Sequence, residues 1–489
     1  MISRIKQNMK KNINIYLVLF IITLTFTFIF MQNRYAADTY WMENYGLRYN
    51  AINPYFHDGR FVMTAFLYIL SFLPISMYKV KLISFGIAFI SLFISEIIIY
   101  NIISRYKNNK IINIISSIML VLSIFVVELF YFTEYTAVTA FSILLITIST
   151  KLLLNYFQNK EKKNLIIAFL CSTITAFCYQ GTISLLVIFP IIFTLKYSNN
   201  IKKFIKNNII IAINYSLPSI TTLVVSKIVG ATRVGGEIVI KDTIIKIVEG
   251  TKNLFVTSAL IIPSYVFLVI FIILTVILIY IMYKKQCTLK YYLFLIYTIL
   301  ATIIVPVVPY LVVNTSSIWI VPRSTIGIGL LVALPVLFYV IYIKESTKHN
   351  NIFIVISSVF LVVQLIGWNM IGTDQIKNNT LEMYETENIA RKIADYEKSN
   401  NRTINKLVTY KDQNVVYSYP GITTTGDMNY RNLTVSWSFK PSLSMHLNRN
   451  LKDGKENNQI KKYCSENNWD RLDDDQFKFE DDTLYLCIY

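Results

Sequence analysis

Runs of about twenty apolar residues recur along the first three-quarters of this chain, and they decide what it can become. A helix needs about 20 such residues to cross the roughly 30 Å hydrocarbon core of a bilayer. Only helices and closed barrels satisfy every backbone polar group in that core. The runs lie near 13–31, 79–103, 111–130, 137–155, 165–178, 181–197, 209–229, 257–283, 291–312, 324–343 and 352–371. With 54% hydrophobic residues and a mean hydropathy of +0.49, the chain predicts an all-α polytopic membrane protein of about eleven transmembrane helices.

The formal charge of +18 would suit nucleic acid, but its distribution argues against that partner. From Asp374 onward 16 Lys and Arg face 18 Asp and Glu, so the excess of bases lies earlier, in short loops between apolar runs. Loop bases set orientation, because they stay on the cytoplasmic side. The segment 61–76 is the ambiguous one. Treated as a re-entrant or interfacial helix, it leaves the loops of Arg105, Lys107 and Lys110, of Lys160, Lys162 and Lys163, of Lys284, Lys285 and Lys290, and of Lys344 and Lys348 inside with the N-terminus. If it crossed, these loops would face outward. The expected topology is therefore multi-pass in the cytoplasmic membrane, N-terminus inside and C-terminus outside. The run 13–31 follows Arg4, Lys6, Lys10 and Lys11 without a small-residue cleavage site, so it reads as an uncleaved first span. The outward connections are 32–60 with 61–78, then 131–136, 179–180, 230–256, 313–323 and the tail.

Composition changes after about residue 371. The expected domains are a membrane body, 1–371, and a small extracytoplasmic α/β domain, 372–489. In the latter, 380–400 has helical periodicity. The stretches 406–410, 415–419, 433–439 and 483–489 read as strands. Cys464 and Cys487 are placed to pair if this domain faces an oxidising compartment, whereas Cys171, Cys178 and Cys287 lie in or beside apolar runs without metal-ligand spacing. The acids Asp473, Asp474, Asp475, Glu480, Asp481 and Asp482 read as solvated surface, without the ligand spacing of a calcium loop.

Against the apolar background, polar groups at one membrane face stand out, since such groups are costly near lipid. The first outer connection carries Asp38, His57, Asp58 and Arg60; later ones carry Glu134, the pair Tyr179 and Gln180, and Arg323. Glu128 joins the outer-end acids, Glu96 lies within a span, and Glu161 and Glu345 fall in inner loops. An outer acid can take the proton of an acceptor hydroxyl as it attacks an activated sugar. Two acids can instead hold a divalent cation, magnesium or manganese, against a phosphate. Arginine suits a lipid phosphate because its planar fork stays ionised and makes two hydrogen bonds. This predicts displacement at an anomeric carbon with a lipid phosphate leaving: Asp38 as base, Glu134 or Asp58 assisting, Arg60 and Arg323 on the leaving charge. His57, Tyr179 and Gln180 are candidate substrate contacts. Plainer roles compete. Asp38 can cap a helix, the arginines can anchor at headgroups, Glu134 can be solvated loop, His57 a plain interfacial residue, Tyr179 and Gln180 interhelical glue, and Glu96 structural.

The pattern of Ala36-Ala37-Asp38, then Gly59-Arg60-Phe61, Thr133-Glu134-Tyr135 and Pro322-Arg323 resembles the Gtr-type glucosyltransferases of bacterial O-antigen modification, within the C-type integral-membrane glycosyltransferases. That family has paired acids near the first position and Gly-Arg-Trp at the second; here one acid of the pair is present. The resemblance covers roughly residues 1–345 and does not extend to the tail. It implies a polyprenyl-phosphate sugar donor, undecaprenyl-phosphate glucose, and transfer outside the membrane to a cell-envelope glycan. It further implies a partner donor synthase and a flippase. A rival expectation is a non-enzymatic transporter or flippase of a lipid-linked sugar, which needs ionisable residues at mid-depth; Glu96 is the good candidate for one. A third reading, a membrane anchor that displays the tail, leaves the many-span body without a use.

Overall fold

The structure is a computed structural model, and it describes residues 2–32, 34–132, 134–231, 237–256, 262, 264–344 and 346–489. Thr133 of the third motif and Glu345 of an inner loop lie outside the described residues. The chain divides into two compact units, one of Met1–Met31 with Ala51–Asn369, the other of Gln32–Asn50 with Met370–Tyr489. The second unit thus takes in the segment that carries Asp38 as well as the tail.

The first unit is helical. Among the described residues of the chain, seven helices are long and apolar enough to cross a membrane: Asn12–Met31, Met77–Ile103, Thr136–Asn159, Ile201–Ile228, Tyr265–Lys284, Leu289–Val312 and Thr347–Asn400. An eighth candidate is the pair Lys110–Val121 and Ile124–Tyr131, bent by 45° at a short break. The expected runs at 165–178, 181–197 and 324–343 hold shorter helices, Lys162–Cys178, Leu185–Ile191 and Ala333–Tyr342. Pro190 sits inside the second and Pro335 near the start of the third. Residues 61–76 form a ten-residue helix, Phe61–Leu70, then turns. At 1.5 Å per residue that helix is about 15 Å long, half a bilayer core.

Small hydroxyls and amides join helices inside this unit. Ser149 Oγ and Ser172 Oγ stand 3.0 Å apart, and Ser172 Oγ donates to Asn214 Oδ1 at 3.0 Å. That ties Thr136–Asn159, Lys162–Cys178 and Ile201–Ile228 together, as small polar residues do where lipid supplies no hydrophobic drive. The connection 230–256, expected as a loop, contains the helix Ile240–Val256. Thr243 and Leu254 are buried, and a Cβ on Gly250 would stand 2.8 Å from the Ile320 side chain, so this face packs closely. Ile240, Ile244 and Val248, four residues apart, remain exposed.

The second unit combines helices with a four-stranded sheet in the order β2-β1-β4-β3. Strand β1 (Lys406–Lys411) runs parallel to β2 (Lys452–Asp453) and to β4 (Thr483–Ile488); β3 (Phe477–Glu480) is antiparallel to β4. Alternation along β4 divides the core. Leu484, Leu486 and Ile488 pack with Ile389, Ile393, Phe439 and Leu443, whereas Tyr485 and Cys487 pack with Ile460 and Cys464. Cys464 and Cys487 form a disulfide.

Two expectations for the tail are corrected. The stretch 415–419 forms no strand, and 433–439 folds as a short turn followed by the helix Ser436–His446. There Ser438, Phe439, Ser442 and Leu443 are buried together, a helical spacing that the alternating sequence does not announce. The boundary between the units falls at Asn369 and Met370, but no helix ends there: one helix runs Thr347–Asn400 and contributes to both units.

Candidate functional site

In the first unit, a π-helical turn at Ala51–Phe56 carries the chain into His57-Asp58-Gly59-Arg60. Asp58 N donates to Pro54 O at 3.0 Å and Arg60 N to Tyr55 O at 2.9 Å. Gly59 has φ +72°, and a Cβ there would fall 2.2 Å from Ser226 Oγ, so glycine alone fits. Ser226 Oγ and Gln180 Nε2 both donate to Asp58 O at 3.2 Å. His57 Nδ1 lies 2.7 Å from Val229 O, which fixes the ring on the end of the Ile201–Ile228 helix.

These bonds hold Arg60 in an aromatic cradle. Its guanidinium is 5.8 Å from the Tyr55 ring centroid and 5.5 Å from that of Tyr179. It meets the Asp58 carboxylate at 3.5 Å, with side chains 20% and 26% exposed. Burial opposes the charge, but Asp58 and the tyrosines outweigh it and hold Arg60 protonated. Its Nε is buried and has no hydrogen-bond partner among the described residues.

Arg323 is engaged differently. Its backbone N donates to Glu128 Oε2 at 2.6 Å and its side chain to Glu128 Oε1 at 3.1 Å. Glu128 is fully buried, and the guanidinium also covers the Phe132 ring at 4.6 Å. One turn touches both arginines. Tyr179 flanks Arg60, and a Cβ on Gly181 would stand 2.6 Å from Arg323 O. Glu134 is buried near this turn's neighbours: the adjoining Tyr135 ring is 6.1 Å from that of Tyr55. Burial sets aside the solvated-loop role for Glu134.

Arg60, Asp58, His57, Tyr179, Gln180, Glu134 and Arg323 therefore belong to one unit, and contacts link most of them. Asp38 belongs to the second. It lies in the first turn of the helix Ala37–Tyr45, inside the cap formed by Ala36, so the capping role is corrected. Trp437 Nε1 donates to Asp38 Oδ1 at 3.3 Å. On the buried side of the same helix, Tyr40 Oη donates to Glu382 Oε2 at 3.1 Å. Glu382 also accepts from Asn378, Asn379 and Asn432 N, yet burial pushes its carboxyl up to about 7.

Sequence reasoning gave Glu128 no role. The available signal was its place in an apolar run, where a carboxylate requires a cation. Nothing in the sequence singled out Trp437 or Glu382. Among the described residues, no three of His, Cys, Asp and Glu gather closely enough to hold a metal ion. No family model, curated protein or solved structure matches the chain.

Proposed function

We propose that this protein is a membrane glycosyltransferase that moves a sugar, glucose by its resemblance to the Gtr-type enzymes, from a polyprenyl-phosphate donor to a cell-envelope glycan at the outer face of the cytoplasmic membrane. The observation that carries the reading is Arg60. It is caged by Tyr55 and Tyr179, held to one carboxylate at 3.5 Å, and keeps a buried Nε without a partner among the described residues. A phosphate oxygen answers that donor, and an arginine beside aromatic rings suits a headgroup at an apolar boundary. Arg323, already committed to Glu128, keeps the Tyr179–Gly181 turn in place.

In the reaction, an acceptor hydroxyl oxygen bonds to the anomeric carbon as the bond to phosphate oxygen breaks. The phosphate leaves with the electron pair, and a carboxylate takes the hydroxyl proton. Asp58 and Glu134 are acids of the Arg60 unit; Asp38 is the first choice from the sequence. Eleven spans, N-terminus inside and the second unit outside, complete the reading. The Cys464–Cys487 disulfide supports an oxidising compartment for that unit.

Membranes containing the protein, incubated with radiolabelled polyprenyl-phosphate glucose, should lose label from the lipid to a polymer. R60A should weaken donor use far more than R60K, and one of D38N, D58N and E134Q should abolish transfer while insertion is kept. Full transfer by all three would remove the carboxylate mechanism.

A transporter reading has one observation in its favour. Glu96, within Met77–Ile103, is fully buried, accepts from Thr23 Oγ1 at 2.7 Å and keeps Oε1 without a partner among the described residues. It predicts translocation of the labelled lipid across vesicles, lost in E96Q, with no transfer to polymer.

A further inference from the structure

The helix Ala37–Tyr45 presents Asp38, Trp41 and Tyr45 at spacings of three and four residues, which line them along one face. Tyr49 extends the row in the next turn. The Trp41 and Tyr45 ring centroids are 4.5 Å apart, and those of Tyr45 and Tyr49 5.3 Å. Trp437, from the helix Ser436–His446, closes the Asp38 end through its 3.3 Å bond. All five residues belong to the second unit. Large aromatic side chains ordinarily seek burial, yet Trp437 is 53% exposed and Tyr49 43%.

We infer that this aromatic row, ended by the Asp38–Trp437 pair, binds an uncharged pyranose chain. A sugar ring has a C–H face that stacks on an aromatic ring and equatorial hydroxyls that need acceptors. The row supplies successive rings, and Asp38 supplies carboxylate oxygens beside an indole N–H. Charge selects among ligands. The helix Ala37–Tyr45 carries Asp38 and exposed Glu43 and no base, and Lys440 on the Trp437 helix is paired with Asp453. Arg48, beside Tyr49, is the base at the far end of the row, so the Asp38 end disfavours phosphate and anionic headgroups. Neutral hydroxyls, which donate to carboxylates, are the complementary surface. The long Trp437–Asp38 bond is on an exposed pair, so a ligand hydroxyl can compete for either partner. In the proposed transfer this ligand is the acceptor glycan, a role that rests on the transferase reading; binding itself does not.

The test uses the purified full-length protein in detergent, titrated calorimetrically with maltotriose, cellotriose and inorganic phosphate. At least one trisaccharide should bind saturably and phosphate should not compete. W437A and W41A should each weaken binding by about tenfold, the loss of one stacked ring, while W437F, which keeps a ring but removes the N–H, should lose less than W437A. Y49A, at the exposed end of the row, gives the same readout if either tryptophan variant fails to fold. The inference is overturned if neither sugar saturates the wild type, if all the alanine variants bind normally, or if brominated lipids in nanodiscs quench Trp437 and sugars do not bind. Transfer of labelled glucose with sugar binding untouched in W437A and W41A would end this inference and leave the transferase. Saturable binding that fails in those variants, in a protein that never transfers label, would do the reverse.

Discussion

A buried carboxylate forces its neighbourhood to answer it, and the protein contains two contrasting answers. Glu128 is met by an arginine 195 residues away in sequence, through both its backbone and its side chain. Removing the Arg323 side chain takes the cation from a fully buried carboxylate that keeps the backbone N–H of residue 323, so R323A should cost about 3 kcal/mol. R323A with E128A together should cost less than R323A alone, a coupling that thermal melts of the four proteins in detergent will reveal. Among the described residues Glu382 is met by neutral donors, and burial, with a smaller push from Glu385, raises its carboxyl from 4.5 to about 7. Between those values the folded chain holds a proton that the unfolded chain has released. Its contribution to stability is therefore full in acid and falls as pH rises through about 7. E382Q should flatten that part of the melting-temperature profile; an unchanged slope would assign the dependence to other groups. The sequence placed Glu128 among the outer-end acids but gave it no partner, because pairing at such separation is decided by tertiary packing. The Asp58-Gly59-Arg60 contact was more legible, since its parts are neighbours in the chain.

Elements were read well where hydrophobic period was long and poorly where two environments met. The apolar runs at 79–103 and 137–155 coincide with long helices, and 406–410 and 483–489 with strands. The change of composition near 371 marked a change of surroundings but not a helix end. A helix stops at a breaker or a cap, and Gly372 alone is too weak a breaker, at about 1 kcal/mol, to stop one already propagating. The helix Ile240–Val256 was hidden because its three faces, packed, exposed apolar and charged, blur the two-sided pattern that a search expects. Gly250 marks its packed side, so G250V should lift it from Ile320 and speed tryptic cleavage at Lys241, Lys246 or Lys252. Unchanged digestion would show that the contact is readily rearranged. In the tail, the Cys464–Cys487 bond ties the helix Asn458–Glu466 to β4 across 23 residues of sequence. By loop-closure entropy, C464S should lower stability by about 3 kcal/mol, measured against the same variant and wild type under reduction, where the two should converge.

For the whole chain the question is how many times it crosses. Seven long helices alone would put Arg60 and Arg323 on opposite sides of a bilayer, yet the Tyr179–Gly181 turn touches both. Counting the bent pair as a span brings the arginines to one side but leaves that turn on the other. Letting Lys162–Cys178 and the apolar segment Gln180–Ile191 cross as a hairpin restores the turn to their side. In the proposed topology Ala333–Tyr342 crosses as well, since ten crossings would return the disulfide-bonded tail to the side of the N-terminus and eleven would send it out. The same proposed count would put the bases at Lys160, Lys162, Lys163, Lys284 and Lys285 inside, as positive loops require. Helices this short cross only where neighbours thin the hydrocarbon around them or extend them with turns, at a modest cost per ångström of mismatch. A cysteine at exposed Lys241 or Lys455 should therefore react with an impermeant maleimide on intact cells. One at Lys162 or Lys284 should react only after permeabilisation. Labelling of Lys162→Cys in intact cells would put the basic loop at the start of the helix Lys162–Cys178 outside, and with it would go the shared face on which a single phosphate-binding site depends.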